Sequence, residues 1–290
     1  MNSRIRKITE DYLDGKLDRR KFFWRMSAAL GSYTLVHHYL ETSGLAAGAI
    51  TTLESSQRNV ASSEIQYPSG DHQVIASLNI PSGEGPFPAI IVIHENRGLN
   101  DHTRDLARRF AAEGYVALAP DLLSRKGGTA AATSPDHARE LIGEISWDDA
   151  IEDLLAAHRY LEQLPESRGQ KVGSIGFCWG GARSFLLATA DSDLAACVVF
   201  YGTPPAAEKL DKIQCPVMGV YGELDQRVTS TVESTARALK EKGKSFEYTI
   251  YPDAQHAFFN DTRQERYHEE AARDAWQRAL AFFDGHLKGS

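Results

Sequence analysis

The stretch Val172–Gly181, with the sequence VGSIGFCWGG, decides the fold and points to the chemistry. Its first six residues predict a buried strand, and a helix is predicted to begin directly after Cys178. The segment Gly176-Phe177-Cys178-Trp179-Gly180 therefore places the pattern Gly-x-Cys-x-Gly between a strand and a helix, which is the cysteine form of a nucleophile elbow. Glycine is expected two residues either side of the nucleophile because larger side chains would clash in so sharp a turn.

Cys178 has the surroundings that a nucleophile needs. At the start of a helix, the partial positive charge of the backbone favours a thiolate over a thiol. The N–H group of Trp179 would point into the same space, where it can donate to an oxyanion. The alternative is a structural cysteine beside a glycine-rich turn. Cys197 lies within a predicted strand and Cys215 just before one, so both are expected to be core thiols.

A thiolate nucleophile requires a base, and the base requires an acid that orients it. In α/β-hydrolases these two residues follow the nucleophile in the order acid and then histidine, each on a loop after a strand. Asp225, in the segment GELD, follows a predicted strand at 216–221, and His256, in DAQHAF, follows another at 246–251. We therefore predict a triad of Cys178, His256 and Asp225, with Glu223 as the competing acid.

Strands and helices alternate from residue 64 to the end of the chain. This alternation predicts an α/β fold with a mostly parallel central sheet and helices on both faces, as in an α/β-hydrolase. A hairpin is expected at the start, where Pro68-Ser69-Gly70-Asp71 separates two alternating runs. We predict one catalytic domain over residues 64–290, a polar linker over 51–63, and an N-terminal extension over 1–50.

The N-terminal extension differs in charge from the rest of the chain. Residues 1–25 contain eight basic and four acidic side chains, a net charge of +4, so the remainder carries −11 of the total of −7. A mildly apolar stretch and the small residues Ala47-Gly48-Ala49 follow. This order, with Asp18-Arg19-Arg20-Lys21-Phe22-Phe23, resembles a twin-arginine export signal and implies an exported, periplasmic protein. The alternative is an amphipathic N-terminal helix on a cytoplasmic protein.

Composition excludes several classes of function. The chain has 290 residues, 42% of them hydrophobic, and a net charge of −7, which is the wrong sign for a nucleic-acid-binding protein. Three cysteines make neither a disulfide scaffold nor a zinc pattern. No apolar stretch approaches the ~20 residues of a membrane span, so membrane contact is expected only through an uncleaved leader. The sequence indicates no metal and no cofactor, and oligomeric state is not readable from it.

The elbow GFCWGG, the acid in GELD and the histidine in DAQHAF together resemble the dienelactone hydrolase family, from about residue 65 to the C-terminus. The resemblance implies an α/β-hydrolase with a Cys-His-Asp triad that opens an enol-lactone. The segment His94-Glu95-Asn96-Arg97-Gly98 is similar to a strand-end motif of the family. It implies that Glu95 contacts the nucleophilic cysteine and that the N–H of Asn96 is the second oxyanion donor.

The same resemblance implies a substrate-binding arginine. In Pro120-Asp121-Leu122-Leu123-Ser124-Arg125, the arginine corresponds to one that binds a substrate carboxylate. The family enzyme that acts on dienelactone has a second such arginine four residues after the histidine, where this chain has Asn260. An asparagine supplies no charge, so the resemblance and the acidic body together count against a strongly anionic substrate. Arg263 is a possible substitute, and Phe258 and its aromatic neighbours would suit an apolar acyl group.

These inferences predict a hydrolase that opens a lactone or cleaves a carboxylic ester through a thioester on Cys178. Its partner would be a small-molecule ester or lactone. Two alternatives remain open from the sequence. The same thioester could transfer its acyl group to a nucleophile other than water, or the chain could be a non-catalytic binding protein with an α/β-hydrolase fold.

Overall fold

The computed structural model of the protein describes residues 3–13, 25 and 60–288. Helix α1 spans Ser3–Leu13. The twin-arginine-like motif and the predicted linker as far as residue 59 lie outside the described residues. In the part of the chain that is described, every helix is too short or too polar to cross a membrane.

Residues 60–251 contribute an eight-stranded sheet in the order β1-β2-β4-β3-β5-β6-β7-β8. The strands are β1 (Val60–Ser69), β2 (His72–Pro81), β3 (Ala89–Ile93), β4 (Val116–Pro120), β5 (Val172–Phe177), β6 (Ala196–Phe200), β7 (Val217–Gly222) and β8 (Phe246–Tyr251). β1 pairs with β2, and β2 with β4, in antiparallel register, whereas the five pairings from β4 to β8 are parallel. The predicted mostly parallel sheet and its opening hairpin are confirmed.

The strand boundaries differ from the sequence prediction mainly at β1. This strand begins at Val60, so residues 60–63, assigned to the linker by composition, pair with β2 instead. Their polar side chains are typical of a linker, but β1 is an edge strand whose first residues are exposed or only partly buried. Polar residues there need no partner in the core.

The helices cover both faces of the sheet. They are α2 (Asp101–Ala112), α3 (Pro135–Gly143), α4 (Trp147–Gln163), α5 (Trp179–Ala190), α6 (Gln226–Thr229), α7 (Val232–Glu241) and α8 (Glu269–Leu287), with 3₁₀ turns at Ser124–Lys126, Thr129–Ala131 and Ala207–Lys212. A short helix, α6, comes directly before α7 and is separated from it by Ser230 and Thr231. The last helix begins at Glu269, where the ring of His268 accepts the N–H of Ala271 as an N-cap.

Two apolar cores lie on opposite faces of the sheet. α2 and α8 pack on one face, where Phe110 and Phe283 are fully buried with Phe177 and Phe200. α4, α5 and α7 pack on the other, around Leu154, Phe185 and Leu239. The all-buried strands β3, β5, β6 and β7 separate the two cores.

The parallel arrangement decides where the functional residues meet. The carboxyl ends of parallel strands lie at one edge of the sheet, and ligands bind there in open α/β folds. Glu95 follows β3, Cys178 follows β5, Asp225 follows β7 and His256 follows β8. The topology therefore places all four at the same edge.

Candidate active site

The turn between β5 and α5 holds Cys178 in a strained conformation. Its backbone has φ 56° and ψ −113°, a region that L-residues other than glycine rarely occupy. A Cβ atom at Gly176 would lie 2.0 Å from the carbonyl oxygen of Gly180, and one at Gly180 would lie 2.3 Å from the carbonyl oxygen of His94. Only glycine fits either position, so the chain can turn from strand to helix within one residue and present the sulfur at the end of the sheet.

Cys178, His256 and Asp225 form a hydrogen-bonded chain. The Nε2 atom of His256 lies 3.0 Å from the Cys178 Sγ atom, and its Nδ1 atom is hydrogen-bonded to Oδ2 of Asp225. The side chain of Asp225 is 6% exposed and that of His256 is 21% exposed, so the acid is shielded and the ring faces the cavity. The structure thus brings together the three residues of the predicted triad.

Glu223, the competing acid, has a different role. Its Oε2 atom accepts the N–H of Asp253 at 3.1 Å and so joins the turn after β7 to the turn after β8. Asp225, two residues further on, is the residue before α6, and its carboxylate is hydrogen-bonded to the histidine. Of the two acids, Asp225 is therefore the one that can orient the ring.

The surroundings of His256 favour its protonated form. Burial lowers its pKa, but the hydrogen bonds to Asp225 and Cys178, together with their negative charges, outweigh burial and raise the pKa to about 9. At neutral pH the ring therefore holds a proton between the carboxylate and the sulfur. A cysteine sulfur at a helix N-terminus beside an imidazolium has the environment of a reactive thiolate.

A stack of aromatic and cationic side chains packs against Trp179, the residue that follows Cys178. The ring of His94 lies parallel to that of Trp179 at 5.6 Å, with an interplanar angle of 4°. The guanidinium of Arg183 sits between two indoles, 3.9 Å from the ring of Trp179 and 3.7 Å from that of Trp147. Burial lowers the pKa of Arg183 to about 10. The stack fixes the side chain that follows the cysteine.

His94 also anchors the loop after β3. Its Nδ1–H donates to the carbonyl oxygen of Glu95 at 2.6 Å, and its Nε2 atom accepts the N–H of Leu122 at 3.1 Å. These two partners require one neutral tautomer, and burial lowers the pKa of the ring accordingly. The anchor ties the backbone at Glu95 and Asn96 to the segment after β4.

The two predicted oxyanion donors, the N–H groups of Trp179 and Asn96, belong to residues close to Cys178. Trp179 is the first residue of α5, so its N–H has no carbonyl partner within the helix. Asn96 lies in the turn directly after Glu95 and lines the same cavity as Cys178. Both residues thus lie beside the nucleophile, and their role as oxyanion donors stays a prediction.

Glu95 is buried, with 6% of the residue exposed, and is held by two neutral donors. The hydroxyl of Tyr201 donates to its Oε1 atom at 3.4 Å, and the amide of Asn260 donates to Oε2 at 3.2 Å. The family resemblance implied contact between Glu95 and the nucleophile. In this structure, however, the sulfur of Cys178 is hydrogen-bonded to His256, and the carboxylate of Glu95 is hydrogen-bonded to Tyr201 and Asn260.

The sulfur opens onto a cavity of about 190 Å³. Cys178, His256 and Glu95 line it together with four arginines, Arg97, Arg139, Arg263 and Arg266. The cavity is thus strongly basic although the protein as a whole is acidic.

Comparison with known proteins identifies the family. The sequence model of the dienelactone hydrolase family matches residues 74–287. The chain belongs to the dienelactone hydrolase family. A protein of Methylorubrum extorquens, provisionally named a carboxymethylenebutenolidase, is 31% identical over 248 residues, which is 81% of this chain and 84% of the relative. A protein of Saccharolobus solfataricus with the same provisional name is 34% identical, covering 76% of this chain and 96% of its own.

Solved structures agree with this assignment. A protein of Klebsiella pneumoniae, provisionally described as a dienelactone hydrolase, superposes with a TM-score of 0.72 at 33% identity, covering 77% of this chain and 98% of its own. A dienelactone hydrolase-like promiscuous phosphotriesterase from metagenomic libraries gives 0.69 at 27% identity, covering 79% and 99%. The α/β-hydrolase fold predicted from the sequence is confirmed.

Arg125, the substrate-binding residue implied by the family resemblance, does not line the cavity. Its guanidinium is bound on α4 by Asp149 at 3.3 Å, Glu152 at 2.5 Å and Asp153 at 3.0 Å. Asp153 is completely buried and also contacts Ser69 and His72. Three carboxylates already surround Arg125, so in this arrangement it joins the loop after β4 to α4.

Phe258 and Asn260, two more predicted substrate-binding residues, are buried in the protein. Phe258 is fully buried and packs its ring against those of Tyr201 and Tyr251. Asn260 is 2% exposed, and its amide is used by Glu95 and by Thr262. Neither side chain lines the cavity as the sequence predicted for this dienelactone hydrolase family member.

Most of the cavity's arginines carry no signal in the sequence. Arg97 lies inside the strand-end motif but has no predicted role there, and Arg263 is predicted only as a substitute for Asn260. Arg139 on α3 and Arg266 carry no motif, because tertiary structure alone brings them to the site. The buried thiols were predicted correctly: Cys197 and Cys215 lie in the core, and burial raises the pKa of Cys197 to about 11.

Proposed function

We propose that this protein hydrolyses a lactone or a carboxylic ester through a thioester on Cys178. The observation that carries the proposal is the hydrogen-bonded chain from the Cys178 sulfur through His256 to Asp225, with the sulfur at the N-terminus of α5 and open to a cavity. Membership of the dienelactone hydrolase family supports the reaction class. The names of relatives add that lactones are among the substrates to be tested.

The first half of the reaction forms the thioester. The sulfur of Cys178 attacks the carbonyl carbon while its proton is held by Nε2 of His256, and the carbonyl π electrons move to oxygen. The N–H groups of Trp179 and Asn96 donate to the resulting oxyanion. When the carbonyl re-forms, the bond to the alkoxide or enolate breaks, and the leaving oxygen takes the proton from His256.

The second half releases the acid. Nε2 of His256 takes a proton from a water molecule, whose oxygen attacks the thioester carbon. A second oxyanion forms at the same two N–H groups and collapses. The carbon–sulfur bond breaks, and the sulfur leaves as a thiolate beside the protonated ring of His256. Asp225 keeps Nδ1 protonated throughout, so that Nε2 always faces the reacting atoms.

A panel of aryl esters and enol-lactones tests the proposal. We expect the wild-type protein to hydrolyse members of the panel and Cys178→Ala to lose at least 1,000-fold in kcat, roughly the effect of removing a triad nucleophile. Glu223→Gln is the matched control and should retain activity, because it removes a carboxylate from the adjacent turn. Wild-type activity in Cys178→Ala would refute the triad assignment.

The same panel separates the competing functions. Acyl transfer predicts that an added alcohol or amine becomes acylated in preference to hydrolysis. A binding protein without activity predicts that no ester or lactone is turned over by the wild type. Either result would contradict hydrolysis as the function.

We also propose that the N-terminal extension directs export, on the sequence evidence alone. The basic region, the Arg19-Arg20 pair and the small residues before position 50 support this. In cell fractionation, replacement of Arg19 and Arg20 by lysine should retain the protein in the cytoplasm. An unchanged location would refute twin-arginine transport.

A further inference from the structure

Arg183 is the one buried arginine among those whose exposure the structure describes, with 6% of the residue exposed. It lies in the second turn of α5, the helix whose N-cap is Cys178. Its Nε atom is buried without a hydrogen-bond partner in the described part of the chain, and no carboxylate there neutralises its charge. A buried guanidinium that lacks such a partner is unfavourable.

Other arginines of the chain bind acids instead. Three carboxylates surround Arg125 and two bind Arg109, although both side chains are more exposed than that of Arg183. The position of Arg183 adds a further cost, because the N-terminal end of a helix carries partial positive charge. Stability alone therefore gives no reason for an unpaired cation at this place.

Two indole rings take the place of a carboxylate. The guanidinium carbon of Arg183 lies 3.9 Å from the centre of the Trp179 ring and 3.7 Å from that of Trp147. The attraction between a cation and the face of an indole offsets part of the cost of burial. It leaves the positive charge in place, whereas an ion pair with a carboxylate would cancel most of the field around it.

This charge is held close to the nucleophile. Long side chains on a helix point back toward its N-terminus, and the guanidinium of Arg183 accordingly lies over Trp179, the residue after Cys178. Burial lowers the pKa of Arg183 to about 10, and the negative charge of Cys178 acts in the opposite direction. Electrostatic coupling is reciprocal, so the positive charge of Arg183 favours a negative charge on the sulfur.

Other titratable groups near this pair come from three further segments. His94, after β3, belongs to the same stack; burial lowers its pKa, the charge of Arg183 lowers it further, and Asp121, after β4, opposes both. His256, after β8, is hydrogen-bonded to the sulfur of Cys178. Of these groups, Arg183 is the one that keeps a full positive charge in every protonation state of the triad.

The cavity side of the sulfur carries further charges. They belong to Glu95 and to four arginines, Arg97, Arg139, Arg263 and Arg266. Salt in the water of the cavity screens these charges, whereas a buried charge is screened much less. The effect of Arg183 can therefore be separated from theirs by ionic strength.

From these observations we propose that Arg183 is a positioning residue whose charge, held between two indole rings, stabilises negative charge on the sulfur of Cys178. The inference rests on the proposed function, in which the sulfur is negatively charged when it attacks the carbonyl and again when it leaves the thioester. Arg183 is not among the residues that line the cavity. It therefore acts through the sulfur and does not touch the substrate.

Alkylation of Cys178 by iodoacetamide, followed as a function of pH, tests this role without a substrate, because the thiolate is the form that reacts. Arg183→Met removes the charge and keeps a flexible apolar side chain. We expect it to move the acidic limb of the pH–rate profile upward by about one pH unit, which is about a tenfold slower reaction on that limb. Arg183→Lys keeps a cation and should move the limb by about 0.3 of a unit or less.

Arg237→Met is the control for these variants. It removes an exposed arginine on α7 and should leave the acidic limb unchanged. The separation between the wild type and Arg183→Met should persist in about 0.5 M salt, because a buried charge is screened little. Cys197 and Cys215 are buried, so alkylation of the folded proteins reports on Cys178.

Trp147→Leu tests the same claim without changing the arginine. Trp147 is 47% exposed, so its removal should leave the fold intact while admitting water and ions to the guanidinium of Arg183. The acidic limb should then move upward by less than in Arg183→Met, and added salt should move it further. An unchanged limb would contradict the proposal even if Arg183→Met did not fold.

Steady-state kinetics separate this role from substrate binding. With 4-nitrophenyl butyrate, Arg183→Met should lower kcat about tenfold and leave KM within about twofold of the wild-type value. An acidic limb at the wild-type pH in Arg183→Met, or one that Arg183→Lys moves just as far, would overturn the proposal while hydrolysis stands. If the limbs move as expected but the wild type hydrolyses no ester, the proposed function fails and the effect of Arg183 on the sulfur stands.

Discussion

Replacing Asp225 by asparagine tests how the site prepares its nucleophile. The substitution keeps the size of the side chain and removes its charge. In the wild type, the hydrogen bond to Asp225 does most to raise the pKa of His256 against the effect of burial. Without the carboxylate, only the contact with Cys178 opposes the effect of burial, so the pKa of the ring should fall.

The size of the effect follows from the pKa of the ring. Raising the pKa of His256 from 6.5 to about 9 corresponds to about 3 kcal/mol in favour of the protonated ring. In Asp225→Asn we expect the pKa of His256 to fall well below its wild-type value, because only Cys178 then opposes the effect of burial. A less basic ring that no carboxylate orients takes up and returns the proton less well, and kcat/KM should fall by roughly 100-fold or more.

Two assays measure this change. An NMR titration of the imidazole C–H signals, assigned by comparison with His256→Gln, should show an inflection near pH 9 in the wild type that disappears in Asp225→Asn. Alkylation of Cys178 by iodoacetamide at pH 7 should slow in the same variant. The other two thiols, Cys197 and Cys215, are buried, so alkylation of the folded protein reports on Cys178.

Glu223→Gln is the control for this experiment. Glu223 lies in the same turn, and its carboxylate accepts the N–H of Asp253 rather than contacting the ring. The inflection near pH 9 should therefore persist in that variant. If His256 still titrates near pH 9 in Asp225→Asn, or if Glu223→Gln removes the inflection, Asp225 is not the acid that orients the base.

Two further substitutions test the packing around the site. Gly180→Ala would place a Cβ atom 2.3 Å from a backbone oxygen and should destabilise the fold by about 3 kcal/mol or more. The control is Gly285→Ala on α8, which has nothing within 4 Å of the new atom and should be neutral or stabilising. Urea denaturation compares the two variants, and equal midpoints would contradict the account. Asn260→Arg should also destabilise the protein, because position 260 is buried against Glu95; a stable variant with faster turnover of anionic esters would show that position 260 faces substrate.

The triad could be predicted from the sequence because its signals are local. The elbow requires glycine at fixed spacing from Cys178, and Asp225 and His256 each follow a strand whose apolar run is clear in the sequence. The order of strand and helix then places their loops at one edge of a parallel sheet. Each of these features depends on only a few residues, so the prediction does not change if the ends of a strand or helix are misplaced by a few positions.

The substrate-binding side chains could not be predicted in the same way, because their direction depends on distant partners. Arg125 follows the expected motif, but three acids on α4, more than twenty residues away, take up its guanidinium. Asn260 has the spacing of a substrate-facing residue but bonds to Glu95, 165 residues earlier in the chain. Neither partner is marked by a pattern near the residue itself.

The positive charge of the cavity could not be predicted from the sequence either. The net charge of −7 indicated a protein that would not attract an anionic substrate. Charge at a site depends on which side chains the fold brings together, and here it gathers four arginines from three segments. The overall charge and the local charge therefore have opposite signs.

The central claim is that Cys178 forms a thioester with the acyl group of the substrate. Rapid acid quenching of the wild type with 4-nitrophenyl butyrate, followed by peptide mass spectrometry, tests it directly. We predict a butyryl adduct on the peptide that contains Cys178, removed by hydroxylamine and missing in Cys178→Ala. An adduct on another residue, or undiminished hydrolysis by Cys178→Ala with no adduct at all, would contradict the account.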